Sequence, residues 1–190
     1  MPSHRRLDAD TRREQLLATA QNLFIERGFE GVGMNDIAHA LGTSRPTVYT
    51  YFTSTTAMLR ALLDARLPAL WQRLHPLLET GQDSGPPVHM ALDYRAIFGA
   101  LLQERDLLLL MHSGGGPTFR EQRSHFLQEL AALLAPYRPA LARPGALHIV
   151  TLLLEAVAVE TLRHPESAPE GLDDSLAAFL VGGLGALRGN

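Results

Sequence analysis

The sequence contains no cysteine and no lysine. The first absence excludes a disulfide framework and any thiolate metal site, and it fits a reducing cytosol. The second leaves arginine as the only strong cation, a bias that genomic base composition produces, so no function is read from it. Long hydrophobic runs are also missing. The longest nearly uncharged stretch near the end, Leu176 to Leu187, is too short to span a bilayer and reads as a buried helix. The opening residues, MPSHRRLDADTRREQ, are charged with no apolar segment behind them, so no secretory signal is visible. A cytoplasmic protein without membrane contact is the expectation. Catalytic signatures are absent too: there is no G-x-S-x-G elbow, P-loop, dinucleotide fingerprint or H-E-x-x-H zinc motif. The eight histidines are scattered, with no pair at metal-ligand spacing. An enzyme, a metal and a cofactor are therefore not expected.

What is present suffices for a real core. Hydrophobic residues make up 46% of the 190 and charged residues 19%, which excludes disorder as the default and allows one or two domains. Net charge is −3, which by itself argues against a nucleic-acid protein. Residues 1–60 sum to +1 (seven Arg, six acids) and residues 61–190 to −4 (ten Arg, fourteen acids). The asymmetry points toward a nucleic-acid-facing N-terminal part, but it is small.

No stretch alternates as a strand does, and no internal repeat is found. The expected architecture is all-α: a small helical domain over residues 1–53 and a larger helical bundle over 54–190. Residues 1–8 read as a polar arm bearing Arg5 and Arg6, either frayed or touching DNA phosphate. Asp10 or Thr11 is positioned to cap a helix running to about Arg27, with Leu16, Leu17, Ala20, Leu23 and Phe24 at helical spacing. Gly28 ends it as a left-handed residue, and Phe29 folds back onto the same core. Asn35 to Leu41 is a short helix closed by Gly42. Ser44 and Thr43 offer caps to the next helix, Ser44 to Phe52, with Pro46 in its first turn. Ser54 caps a lever helix bearing Met58, Leu59, Leu62 and Leu63. Pro68 either starts a new helix or kinks this one, and Pro76 bends the stripe that runs from Leu70 to Leu78.

Beyond, Thr80 to Pro87 is a loop, and Val88 to Leu110 is mostly helical with a break near Glu104–Arg105–Asp106. His112 to Pro117, HSGGGP, is a second break. It is similar to a Gly-rich oxyanion loop, but no nucleophile accompanies it. Thr118 to about Ala135 is helical. Pro136, Pro139 and Pro144 stiffen the next connection. Leu147 to Leu162 is apolar almost all round and should be buried on several sides. A loop at His164 to Pro169 leads to the last helix, Leu172 to Leu187. Its Gly182, Gly183 and Gly185 make sense where another helix backbone packs closely.

Helix, glycine turn and helix is the helix-turn-helix layout, whose second helix enters the major groove. Arg45 is the best base reader, because its guanidinium reaches guanine O6 and N7 together. Thr47 suits a phosphate or a thymine methyl, and the Tyr49 and Tyr51 hydroxyls suit phosphate. A capped turn between two core helices would look much the same.

The run from Arg12 to Leu63 carries more than that turn. It has LFIERGFEGVGM, then DIAHALGTSRPTVYTYF, then a Ser-capped helix ending AMLRALL. In this order the elements resemble the N-terminal domain of the TetR/AcrR family of transcriptional regulators, over roughly 50 residues. The resemblance implies a homodimer on a palindromic double-stranded DNA operator, with a small-molecule effector of unknown identity that binds the helical domain and releases DNA. Repression is the family expectation. The family's DNA-contacting positions fall on Gly33, Thr43, Ser44, Arg45, Thr47, Tyr49, Tyr51 and Thr55. Two depart from the usual pattern. Gly33 stands where a capping threonine is common, and Thr55 stands where a lysine grips the backbone. Both departures predict weaker affinity and a shallower salt dependence, which Arg5, Arg6, Arg12 and Arg13 are placed to offset.

In the bundle, Trp71, Tyr94, Phe98, His112, Phe126 and Glu155 are candidate ligand residues, with His75, His89, Met111 and Glu160 behind them. Each also reads as an ordinary core or surface residue, and a lone Trp or Phe at helical spacing reads first as core. A carboxylate in the apolar run IVTLLLEAVAVETL needs a partner, and His148, seven residues before Glu155, is one candidate. Leu147–Leu162 and Leu172–Leu187 form the expected dimer surface. The competing reading is a helical ligand-binding or protein-interaction module that has lost specific DNA binding.

Overall fold

The computed structural model describes residues 3–79, 92–134, 141 and 145–188. Among these residues the fold is all-helical, with no strand: α1 (Ser3–Arg27), α2 (Met34–Ala40), α3 (Arg45–Tyr51), α4 (Thr55–Glu79), α5 (Tyr94–Gln103), α6 (Arg105–Met111), α7 (Pro117–Leu134), α8 (Ala146–Arg163) and α9 (Leu172–Arg188). Two compact units emerge. The first holds residues 1–67 and 109–119, and the second holds 68–108 and 120–190. The expected loop at Thr80–Pro87 and the prolines Pro136, Pro139 and Pro144 lie outside the described residues.

In the first unit, α1, α2 and α3 enclose Leu16, Ala20, Phe24, Ile37, Ala38 and Val48. The first part of α4 adds Met58, Leu59, Leu62 and Leu63, all buried. Burying such a side chain stabilises by about 1.5–3 kcal/mol, and a three-helix unit this small has few to spare. Ser54 caps α4, its Oγ accepting from the Ala57 N–H at 3.1 Å. Gly42 turns the chain between α2 and α3 at φ 64°.

Two features of α1 correct the sequence reading. The helix starts at Ser3, so residues 3–8 are helical rather than a loose arm, and neither Asp10 nor Thr11 is a cap. No glycine or proline falls between Ser3 and Arg27, and a possible cap ends nothing when the residues before it are good helix formers. Gly28 has the positive φ expected, 79°, but ψ is 145°, so the chain leaves α1 extended and not through a left-handed turn.

The first unit is completed by the segment after α6. The Phe29 ring meets Phe24 and Phe119 edge-on, at centroid distances of 5.1 and 5.3 Å. The Phe29 N–H donates to the Ser113 carbonyl at 2.8 Å. The Glu30 carboxylate accepts from the backbone N–H groups of Gly115 (3.0 Å) and Gly116 (3.2 Å). Its own backbone N–H and that of Gly115 hold its pKa below the ordinary 4.5, with Gly116 adding to them.

In the second unit, α5 packs on α8 and α9. Arg95 of α5 reaches Asp173 (2.7 Å) and Asp174 (2.8 Å) at the start of α9. Pro68 and Pro76 both lie inside one continuous α4, so Pro68 starts no new helix. The break near Glu104 is real, and Arg73 fastens it through Glu104 (2.6 Å) and Gln103 (2.7 Å). The helix before that break begins at Tyr94, capped by Asp93, and the preceding Leu92 is not helical.

Candidate nucleic-acid interface

α3 is presented outward because its inward residues are apolar. Val48 is fully buried and Phe52, which ends the helix, nearly so. The opposite side carries Ser44, Arg45, Tyr49 and Thr50, all exposed. Thr43, Thr47 and Tyr51 are half-buried at its edges. The Ser44 Oγ accepts from the Thr47 N–H at 3.2 Å and lies 2.7 Å from the Thr47 hydroxyl. That cap commits both side chains to the helix start, although each hydroxyl keeps further hydrogen-bonding capacity. Arg45 Nη2 donates to the Tyr49 hydroxyl at 3.2 Å, and the guanidinium lies 5.4 Å from the Tyr49 ring centre. The pair is one turn apart, at the i, i+4 spacing that brings helix side chains together.

The two departures at the flanks have visible consequences. Gly33 caps α2 without a side chain, and its N–H donates to the Asp36 carboxylate at 2.8 Å. A donor that could face a phosphate is thereby occupied by an acid. Thr55 is the first residue of α4 and is half-buried. On α1, Arg12 donates to Gln15 at 3.2 Å and Arg13 lies 4.9 Å over the Phe52 ring. Arg5 and Arg6 are in the first turns of the same helix.

The chain matches the model of the bacterial regulatory proteins of the tetR family over residues 16–62. The likeness is to that family's regulators, over 47 of the 190 residues. The curated relatives it matches are regulators. One is the transcriptional activator FasR of Mycolicibacterium smegmatis, 33% identical over 46% of this chain and 40% of the relative. Another is the repressor NemR of Escherichia coli, 37% identical over 37% of this chain and 35% of the relative. The matched segment thus spans well under half of either relative. Likeness over nearly the whole chain comes from structure. A TetR-family regulator from Streptomyces coelicolor aligns with a TM-score of 0.59 at 24% identity, covering 95% of this chain and 81% of that one. At that identity the fold alone is shared.

The expected ligand residues do not gather in one place. Trp71 and Phe126 form a ring pair 5.0 Å apart within the second unit. Tyr94 and Phe98 are buried on α5. His112 and Met111 belong to the first unit, in the segment that meets Phe29 and Glu30. Glu155 is buried, and Arg123 of α7 lies 3.2 Å from it, so His148 is not its partner. Seven residues along a helix are two turns, about 10 Å apart, and His148 is exposed. Glu160 is exposed, not buried. With His164 and Thr161 it lines a shallow cleft of about 370 Å³ between α8 and the start of α9. No single residue of that cleft carried a signal in the sequence beyond Glu160.

α8 is not buried on several sides within the chain. Ile149 is 64% exposed, and Leu152 is open as well. On α9, Phe179 is 70% exposed and Val181 follows it. A side chain at Gly182, Gly183 or Gly185 would meet nothing within 4 Å. Among the described residues, nothing supplies the close neighbour these glycines imply. Among the described residues, no helix is long and apolar enough to cross a membrane.

Proposed function

We propose that this chain is a cytoplasmic, ligand-responsive transcriptional repressor. As a homodimer it binds a palindromic DNA operator, and a small molecule bound in the helical unit releases it. The observation that carries the DNA-binding part is α3. Its apolar side is sunk in the first unit, and its free side offers an arginine braced by a tyrosine, with capped hydroxyls beside it. Base edges are read by such groups, and phosphate contacts set the register. Dimerisation through α8 and α9 is supported by exposed Ile149, Leu152, Phe179 and Val181 and by the open glycines. The aromatic pair Trp71–Phe126 and the buried Glu155 lie in the second unit and support assigning the effector to it.

A second reading, a helical module without specific DNA binding, is favoured by Gly33, Thr55 and the net charge of −3. Selection of duplexes from a random-sequence pool, followed by titration at stepped salt, separates the two. A palindromic consensus with a negative salt slope supports the first reading. No enrichment over the pool supports the second. A reporter driven by the selected site then gives the sign: expression should fall when the protein is present, and a rise would make it an activator.

A further inference from the structure

The cleft between α8 and the start of α9 lies wholly within the second unit. The chain leaves α8 at His164 through a short turn, Pro165–Ser167, and is extended at Ala168. Gly171, at φ 70°, then leads into α9. Backbone donors of this connection are spent internally. The Ser167 N–H donates to the His164 carbonyl at 3.0 Å, and the Leu172 N–H to the Pro169 carbonyl at 3.3 Å. The Thr161 hydroxyl is spent in the same way, on the Val157 carbonyl at 2.8 Å. What the cleft offers a visitor is therefore side-chain chemistry. Val157, Pro169 and Leu172 give it apolar lining, and Glu160, His164 and Ser167 give it polar groups. Its volume of about 370 Å³ falls at the lower end of the roughly 300–1,000 Å³ of ordinary ligand sites.

The charges decide the class of ligand. Asp173 and Asp174, in the first turn of α9, are tied to Arg95. Arg105 takes the Leu162 carbonyl at 2.8 Å and offsets the negative end of α8. Glu166 lies 3.8 Å from His164. Arg163 does not line the cleft. Among the described residues, none donates to the Glu160 carboxylate. A carboxylate without a cation thus stands beside an apolar lining. Because the cleft is open on one side, a cation seated there keeps part of its hydration and avoids the full cost of burying a charge.

We propose that this cleft is a binding site for a small organic ammonium: an amine with an apolar body about the size of one aromatic ring. Glu160 selects the charge, and Val157, Pro169 and Leu172 cover the body. The site is separate from the effector assignment above, which draws on Trp71–Phe126 and Glu155, and it needs no DNA.

The experiment is an amide chemical-shift titration of the full-length protein with 2-phenylethylamine at neutral pH. A second titration uses 3-phenylpropanoate, which has a similar shape and the opposite charge. The amine should give saturable shifts confined to residues 156–172, with a Kd of about 1 mM or tighter. 3-Phenylpropanoate should bind about tenfold more weakly or not at all. Glu160→Gln should weaken the amine about three- to five-fold. Ala168→Trp, at an exposed and extended position, should fill the cleft and abolish the shifts. No saturable shift, or shifts outside residues 156–172 alone, overturns the proposal. So does equal binding of the two probes, and so does unchanged amine affinity in Glu160→Gln. If these amides move with protein concentration and ignore the amine, a second copy of the chain covers the cleft, which overturns it as well.

Discussion

A guanidinium hanging free in water has many rotamers to lose before it can grip a base edge. Arg45 has already lost some of them to Tyr49, through a hydrogen bond of 3.2 Å and the ring beneath it. Arg45→Ala should cost about 1–3 kcal/mol of operator binding and relax the sequence preference. Tyr49→Phe keeps the ring and removes the hydroxyl, so its cost should be about 0.5–1.5 kcal/mol. Fluorescence anisotropy with the selected duplex measures both. Equal losses would mean that the Tyr49 hydroxyl touches DNA itself. Glu30 gives a second residue-scale test. Its folded pKa lies below the ordinary 4.5 because backbone N–H groups favour the charged form. The stabilisation is therefore present above about pH 4.5 and is lost as pH falls through the lower folded value. The amide shifts of Gly115 and Gly116 should titrate together with a midpoint below 4.5. A midpoint at or above it would show that the carboxylate is not held.

At the scale of elements, the first unit depends on one backbone conformation in the helix-turn-helix and on one cap behind it. Gly42 sits at φ 64°, where a side chain costs about 1–2 kcal/mol. Gly42→Ala should lower the melting temperature by a few degrees, even though space is open around it. Ser54→Ala should cost about 1 kcal/mol by freeing the first turn of α4. Calorimetry of the two variants checks both values, and an unchanged melting temperature for Gly42→Ala would remove the strain argument. These ends were legible in the sequence because glycine, serine and proline act within a few residues of where they stand. The start of α1 was not, since Asp10 and Thr11 have capping chemistry but lie where nothing interrupts the helix. The partners of Glu155 and Glu30 were not legible either. Arg123 is 32 positions away from the first, and Gly115 is 85 from the second. Periodicity has no memory over such distances. The apolar sides of α8 and α9 were visible, but a hydrophobic pattern cannot say whether its cover comes from the same chain.

For the whole molecule, the proposed dimer rests on the exposed side of α8 and α9. Large apolar side chains such as Phe179 and Ile149 left in water favour association. Sedimentation should find a dimer at micromolar concentration, and Phe179→Glu should shift it toward monomer. A monomeric parent would remove the dimer from the proposal. The two departures at Gly33 and Thr55 belong at this scale too. In the proposed complex each half-site would be gripped by fewer groups than the TetR pattern provides, so affinity would lean on having two of them joined.

That dependence reaches into gene dosage. If only paired protomers fill the operator, occupancy at low protein levels follows the square of protomer concentration. The uncovered phenylalanine on α9 would then do more than hold two chains together. A twofold drop in expression would empty the promoter about fourfold in the dilute limit, where mass action governs pairing. The regulated gene would respond to the abundance of its regulator as a threshold rather than as a dimmer.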